Sequence, residues 1–308
     1  MTRPKTKPAR WKLAPLIAHY REWSGSRTRK RLYDTQARKE LLKYLKNPKA
    51  QASLALIGNA LDKLALWHGK SGAHRVLSGD PSGWSHMHLA VDLEGWYLRI
   101  ERYTFMRQLA DGRANPTPML LGELYRCLAQ AIALRNDKIA DWCRQAIVSE
   151  MRESNGFLSD WRFSPFHPFM AWLYWTWYMG GLPMNEARLR DLRVYRAIVK
   201  GWTDDSAFRK ALVRACDYHC ARSDPDVDEN GEFWQRTLNV FPAEILAIMR
   251  VRREILGSDV TISHPLMDSP VASVPDDIPR LTEPLLRRVA ERVRRREQSL
   301  PRKRARKS

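Results

Sequence analysis

The chain has 308 residues, 44% of them hydrophobic, with twelve tryptophans and a net charge of +19. Such a composition fills a sizeable core and excludes a disordered chain, and the length leaves one large or two small domains open. The charge belongs to the ends: residues 1–49 carry 15 Lys/Arg against 3 Asp/Glu, residues 281–308 carry 11 against 3, and 50–280 carry 27 against 28.

Apolar residues recur at spacings of three and four nearly throughout, and alternating strands are scarce. Leu32, Leu41, Leu42 and Leu45 predict a helix that ends near Asn47-Pro48. Leu54, Ile57, Leu61, Leu64 and Trp67 line a second, stopped by Gly69. A loop rich in Gly, Ser, Asp and Pro (69–83) then leads to a third helix over Trp84 to Leu109. Pro118 suits a first turn, and Leu121, Leu124, Leu128 and Ile132 form one face. Asn136 caps the next helix, whose inward residues are Ile139, Trp142, Cys143 and Ile147. With two or three residues between them, these two helices fold back as an antiparallel pair.

SPFHPFMAWLYWTWYMGG predicts a short helix that is apolar nearly all round, to be buried at the centre of the fold. Further helices are expected at about 185–200, 204–222, 232–239, 242–256 and 283–298. The four-proline segment 258–281 reads as extended or coiled, and SLPRKRARKS as disordered. The architecture predicted is all-α: about ten helices in stacked antiparallel pairs around an aromatic-rich core, with no fixed repeat period. The charge map divides the chain into a basic segment 1–27, one helical domain 28–270, and a linker, basic helix and disordered basic tail over 271–308.

Cys127, Cys143, Cys216 and Cys220 follow no secreted disulfide spacing, and MTRPKTKPAR lacks the apolar run of a signal peptide. FMAWLYWTWYMGGL (169–182), the longest apolar stretch, is too short to span a bilayer. A cytoplasmic protein with no membrane partner is expected.

DVDENGEFW (226–234) opens like a calcium loop, with Asp226, Asp228 and Asn230 at positions one, three and five and Gly231 at the turn. Position nine is Trp234 and position twelve is Thr237, where a bidentate glutamate is needed, so no metal or cofactor is expected. A solvated connector turning at Asn230-Gly231 is one alternative. A protein-binding edge is the other: Asp224, Asp226, Asp228, Glu229 and Glu232 gather one sign of charge beside Trp234. CDYHC puts Cys216, His219 and Cys220 on one helical face, but zinc wants a fourth ligand, and core or boundary residues are the plainer reading. In WSHMH, His86 and His88 are two apart and share no helix face, so they read as solvent-exposed histidines beside a loop. A cysteine nucleophile paired with His167 has nothing to support it. With no HExxH, nucleophile elbow or phosphate-cradling loop, no catalytic residue is predicted and the chain does not read as an enzyme. The basic ends could neutralise phosphates through Arg294, Arg295, Arg296, Arg302, Lys303 and Arg304, although no nucleic-acid-binding motif accompanies them.

GELYRCLAQAIALRNDKIADWCRQAI is similar to the helical pair of the immunity protein 49 family of bacterial polymorphic toxin systems. FWQRTLNVFPAEILAIMRVRREILGSDVTISHPLMD resembles that family's closing segment through Pro242, Glu244, Leu246, His264, Pro265 and Leu266. The PoNi-type DNase immunity proteins are similar in architecture. The resemblance spans about residues 50–270 and leaves out both basic ends, which depart from the family's pattern. It implies an all-helical protein that binds and neutralises a cognate toxin. Glu229, Glu232 and Trp234 would then be contact residues for a basic toxin surface. Two other classes stay open: a nucleic-acid-associated protein acting through its basic ends, and a helical scaffold or adaptor. The oligomeric state is not legible.

Overall fold

The computed structural model describes residues 12–46, 54–112, 121–153, 164–179, 190–223, 232–233 and 237–298, and among these there is no strand. The predicted all-α architecture is the one found. Helices α1 (Leu13–Gly25), α2 (Arg27–Lys30) and α3 (Gln36–Lys46) open the chain, with a π turn over Arg31–Thr35 joining the last two. Two antiparallel hairpins follow: α4 (Leu54–Leu77) with α5 (Gly83–Ala110), and α6 (Leu121–Ala133) with α7 (Asp137–Glu153). The rest are α8 (Phe166–Met179), α9 (Arg196–Lys200), α10 (Asp205–Ser223), α11 (Ala243–Leu256) and α12 (Pro284–Gln298).

The α4–α5 hairpin corrects the predicted stop at Gly69. Helix α4 runs on through Gly69 and Gly72 to Leu77, and the loop shrinks from 69–83 to 78–82. Gly72 is a point of close approach: a Cβ there would lie 2.7 Å from Gly83 O and 2.9 Å from Met87 N. At Gly69 it would meet the methyl of Thr237 at 3.2 Å. The residue that does end α4 is Gly79, at φ +84°. Asp80 N–H donates to Arg75 O and Gly79 N–H to Val76 O, a Schellman closure that needs the left-handed conformation glycine takes without strain.

The second hairpin matches its pattern. Leu124, Leu128, Ile132, Ile139, Cys143 and Ile147 are buried, Leu121 and Trp142 are half-buried against the same core, and Asn136 Oδ1 accepts from Ile139 N–H at 3.4 Å as the cap. Arg250 of α11 donates to Ile132 O (2.8 Å) and Asp137 Oδ1 (2.9 Å), satisfying a last-turn carbonyl of α6 and binding the first residue of α7. In α8 the run Phe166–Tyr174 is buried as predicted, but Tyr178 and Met179 at its end are exposed.

Other expectations are corrected. No helix forms over the described part of 232–239: Glu232 and Phe233 lie in one turn and Thr237–Val240 in another. Phe233, Leu238, Val240 and Phe241 are all buried, so this segment plugs the core rather than presenting one face to it. The described part of 185–200 is helical at 190–191, turns at Leu192, and continues as a 3₁₀ turn (Arg193–Tyr195) and α9, so the expected single helix is interrupted. Leu32 and Leu42 are exposed, and Leu41 and Leu45 alone of that group face inward.

The divisions drawn from charge at 27/28 and 270/271 do not separate packing units. Tyr20 of α1 has no exposed surface, and its hydroxyl donates to Asn239 Oδ1 at 2.5 Å. Trp23 packs on Trp67, ring centres 5.3 Å apart. At the other end, Leu286, Val289, Ala290 and Val293 of α12 enter a core cluster with Ala37, Leu41 and Tyr44 of α3 and Leu93 and Trp96 of α5. The high Arg content of PLLRRVAERVRRREQ masks this i, i+3, i+4, i+7 stripe in the sequence.

Replacing Gly72 with alanine is expected to lower stability by about 2 kcal/mol or more, because the clash is with backbone rather than with a side chain that can turn away. Gly25→Ala, where the added carbon meets nothing within 4 Å, should change it by less than about 1 kcal/mol. Urea unfolding of the two variants measures the difference, and equal midpoints would remove the close-approach account.

Candidate partner-binding site

The acidic segment is bracketed by structure at both ends. Asp224, Asp226, Asp228, Glu229 and Trp234 lie outside the described residues, as do Asn230 and Gly231. The described flanks are Ser223, the last residue of α10, and Glu232 with Phe233. Ser223 is buried and its Oγ donates to His219 O at 2.7 Å, closing the last turn of the helix. Thr237, the closing position of the notional calcium loop, is also buried and donates to Gln130 Oε1 at 3.3 Å. Its hydroxyl belongs to the core.

Glu232, expected as part of an exposed acidic edge, is instead turned inward. It accepts from Tyr218 Oη (2.6 Å), from Phe166 N–H (3.1 Å) and from Ser164 Oγ. Phe166 is the first residue of α8, so the carboxyl binds the positive end of that helix. Burial raises its pKa to about 7, and the Tyr218 and Phe166 hydrogen bonds oppose that shift without cancelling it. The reason for the inward turn is the neighbour: Phe233, with no exposed surface, stacks on His219 (ring centres 4.5 Å) and meets Phe166 edge-on at 5.5 Å.

Beneath this sits the CDYHC face. His219 Nδ1 lies 2.6 Å from Glu244 Oε1, and neither side chain has exposed surface. One proton must lie between two such atoms, and burial makes the contact obligatory for both partners. Cys216 and Cys220 are free and buried; burial pushes the Cys216 thiol far up and that of Cys220 to about 12, so both are thiols packed against the core. Among the described residues no three His, Cys, Asp or Glu side chains are grouped as metal ligands. A second histidine–carboxylate contact grips α10 two residues earlier, at Asp217. His264 Nδ1 accepts from Leu266 N–H (3.1 Å), which leaves the Nε2 proton to point at Asp217 Oδ1, 3.3 Å away. Glu244 and His264, named by the sequence resemblance, thus converge on one helix, and Leu266 holds the His264 ring through its N–H. Glu244 itself was missed as a partner of His219, because 25 residues separate the two and nothing local marks the pairing.

The other histidines are corrected as well. His88 is buried, and His86 stacks on His68, with 2.9 Å between their Nδ1 atoms. Burial lowers the pKa of both His68 and His86, that of His68 to about 4. His167 stacks on Tyr125 and is likewise lowered to about 4 by burial. Of the basic residues singled out, Arg294 and Arg295 are exposed on α12, and the Arg294 guanidinium lies 4.9 Å from the Trp96 ring centre. The Arg296 side chain and Arg302, Lys303 and Arg304 lie outside the described residues.

Glu244→Ala should cost about 3–5 kcal/mol of stability, since it strands a buried imidazole, and chemical denaturation measures it. Glu232 responds to pH. Its folded pKa of about 7 exceeds the ordinary carboxyl value of 4.5, so its contribution is complete below about 4.5 and lost as pH rises through about 7. His68 and His167 act in the opposite sense: their contribution is complete above 6.5 and lost as pH falls toward about 4. The Tm of Glu232→Gln relative to the unmodified chain should therefore rise between pH 4.5 and 7; a difference that stays flat across that window would place Glu232 in water. Compared with known proteins, the chain matches no family model, no curated protein and no solved structure.

Proposed function

We propose that the chain is a binding protein that neutralises a cognate bacterial toxin by protein–protein contact, as its resemblance to the immunity protein 49 family implies. The contact runs through the acidic segment Asp224–Trp234. The observation that carries this reading is the framework at the base of that segment. Ser223 is fixed by the last turn of α10, while Glu232 and Phe233 are fixed on α8 and α10. Between these anchors the sequence holds Asp224, Asp226, Asp228 and Glu229 and no lysine or arginine. Anchoring both ends of a recognition segment removes conformational entropy before binding, and concentrated negative charge steers a basic partner. Glu232 serves this site as an anchor and not as a contact.

The reading is that of a cytoplasmic binder without enzymatic activity or cofactor. Among the described residues no helix is long and apolar enough to cross a membrane. The test is co-expression with the toxin encoded beside it. Growth should be restored by the unmodified chain. The quadruple variant Asp224→Lys, Asp226→Lys, Asp228→Lys, Glu229→Lys should bind the purified toxin at least about tenfold more weakly, mainly through a slower association rate. Rescue and affinity that survive the charge reversal would exclude this segment, and absence of any rescue by the unmodified chain would exclude the function.

A further inference from the structure

We propose that the groove between α5 and α12 binds the phosphates of a single-stranded nucleic acid, at a site independent of the acidic segment. The groove has a volume of about 310 Å³ and draws cations from three helices: Arg99 of α5, Lys138 of α7, and Arg287 and Arg294 of α12. The guanidiniums of Arg99 and Arg294 are both held on the indole of Trp96, at 4.6 and 4.9 Å from its ring centre. Two carboxylates share the groove and each is engaged elsewhere. Asp92 accepts from Asn136 Nδ2 at 2.9 Å, and Glu283 pairs with Arg38 at 2.6 Å. Among the described residues no carboxylate lies within ion-pair distance of Lys138, Arg287 or Arg294. Like charges gathered in a recess raise the local potential, and a bound anion relieves it.

The length of the charged surface selects a chain of phosphates over one small anion. Helix α12 lies beside α3 and runs the same way. Arg38 in the first half of α3 pairs with Glu283, the residue before α12, and Arg292 donates to Tyr44 O (2.8 Å) and Leu45 O (3.0 Å) at the end of α3. Exposed Arg288 and Arg295 on α12, then Lys39, Lys43 and Lys46 on α3, carry positive charge outward from the groove. A flexible strand can seat a phosphate in the recess while its neighbours follow this surface, whereas a duplex holds its phosphates on a rigid convex cylinder.

Fluorescence anisotropy of the full chain with a labelled single strand of about 20 nucleotides tests this across a salt series. Affinity should fall steeply with salt. The triple variant Lys138→Glu, Arg287→Glu, Arg294→Glu should bind at least about tenfold more weakly and with a shallower salt slope. The charge-matched triple Arg209→Glu, Lys210→Glu, Arg214→Glu on the exposed face of α10 should bind as the unmodified chain does. Thermal melts verify both folds, and if the groove triple melts early, Lys138→Glu alone, at an exposed position, must still weaken binding. Equal losses in both triples would reduce the effect to net charge and overturn the site, as would no binding at low salt. Displacement of the strand by inorganic phosphate too dilute to alter ionic strength would overturn the strand in favour of a small anion.

Discussion

A histidine and a glutamate, each without exposed surface and 2.6 Å apart, hold the C-terminal half of the chain in register. His219 sits in the last turns of α10 and Glu244 in the first turn of α11, so their contact fixes how these helices cross. At the opposite end of the pair, buried Arg252 of α11 donates to Trp202 O (2.9 Å) and to Asp205 Oδ1 (2.5 Å) at the start of α10. Polar groups buried this deeply cost free energy when unpaired, and the His219–Glu244 and Arg252–Asp205 contacts form together at only one relative position of the two helices. The stack of Phe233 on His219, the turn of Glu232 toward α8 and the position of Ser223 follow from that position.

The same economy of buried charge organises the ends of the chain. Arginines that the sequence presents as a basic surplus serve in part as helix caps. Arg292 occupies the C-terminal carbonyls of α3, and Arg250 those of α6, where unsatisfied oxygens and the negative end of the helix favour a cation. The two basic ends would repel each other in isolation. Burial of Leu286, Val289, Ala290 and Val293 against α3 and α5 contributes several kcal/mol, on the order of 1.5–3 for each larger side chain, and outweighs a surface repulsion that salt screens. Among the described residues, this packing sets the exposed arginines of α12 beside α3, whose outer face carries Lys39, Lys43 and Lys46.

Acid and base sensitivity are divided between two regions. The stacked His68–His86 pair lies at the α4–α5 hairpin, and burial keeps both rings neutral near pH 7. Glu232 lies at the base of the acidic segment, where burial keeps its proton close to the same pH. Acid therefore loosens the hairpin, and alkali loosens the anchor.

What the sequence determined by itself was whatever period and local chemistry encode. The 3.6-residue spacing gave the all-α class, the α6–α7 hairpin with its Asn136 cap, and the limits of α5, α10, α11 and α12 to within about two residues. The acidic character of 224–232 and its missing twelfth ligand were legible in the same way. Tertiary structure decided matters that depend on a partner far along the chain. Gly69 and Gly72 look like breakers until α5 is laid against them, whereas Gly79 stands in open space and is set apart by its positive φ. Glu232 reads as one more surface carboxylate until the first turn of α8 and Tyr218 are placed beside it. His219 and Glu244, and equally Arg292 and the carbonyls of Tyr44 and Leu45, become partners only when helices remote in sequence cross, because a buried polar group selects its partner by position in space and leaves no periodic trace in the chain.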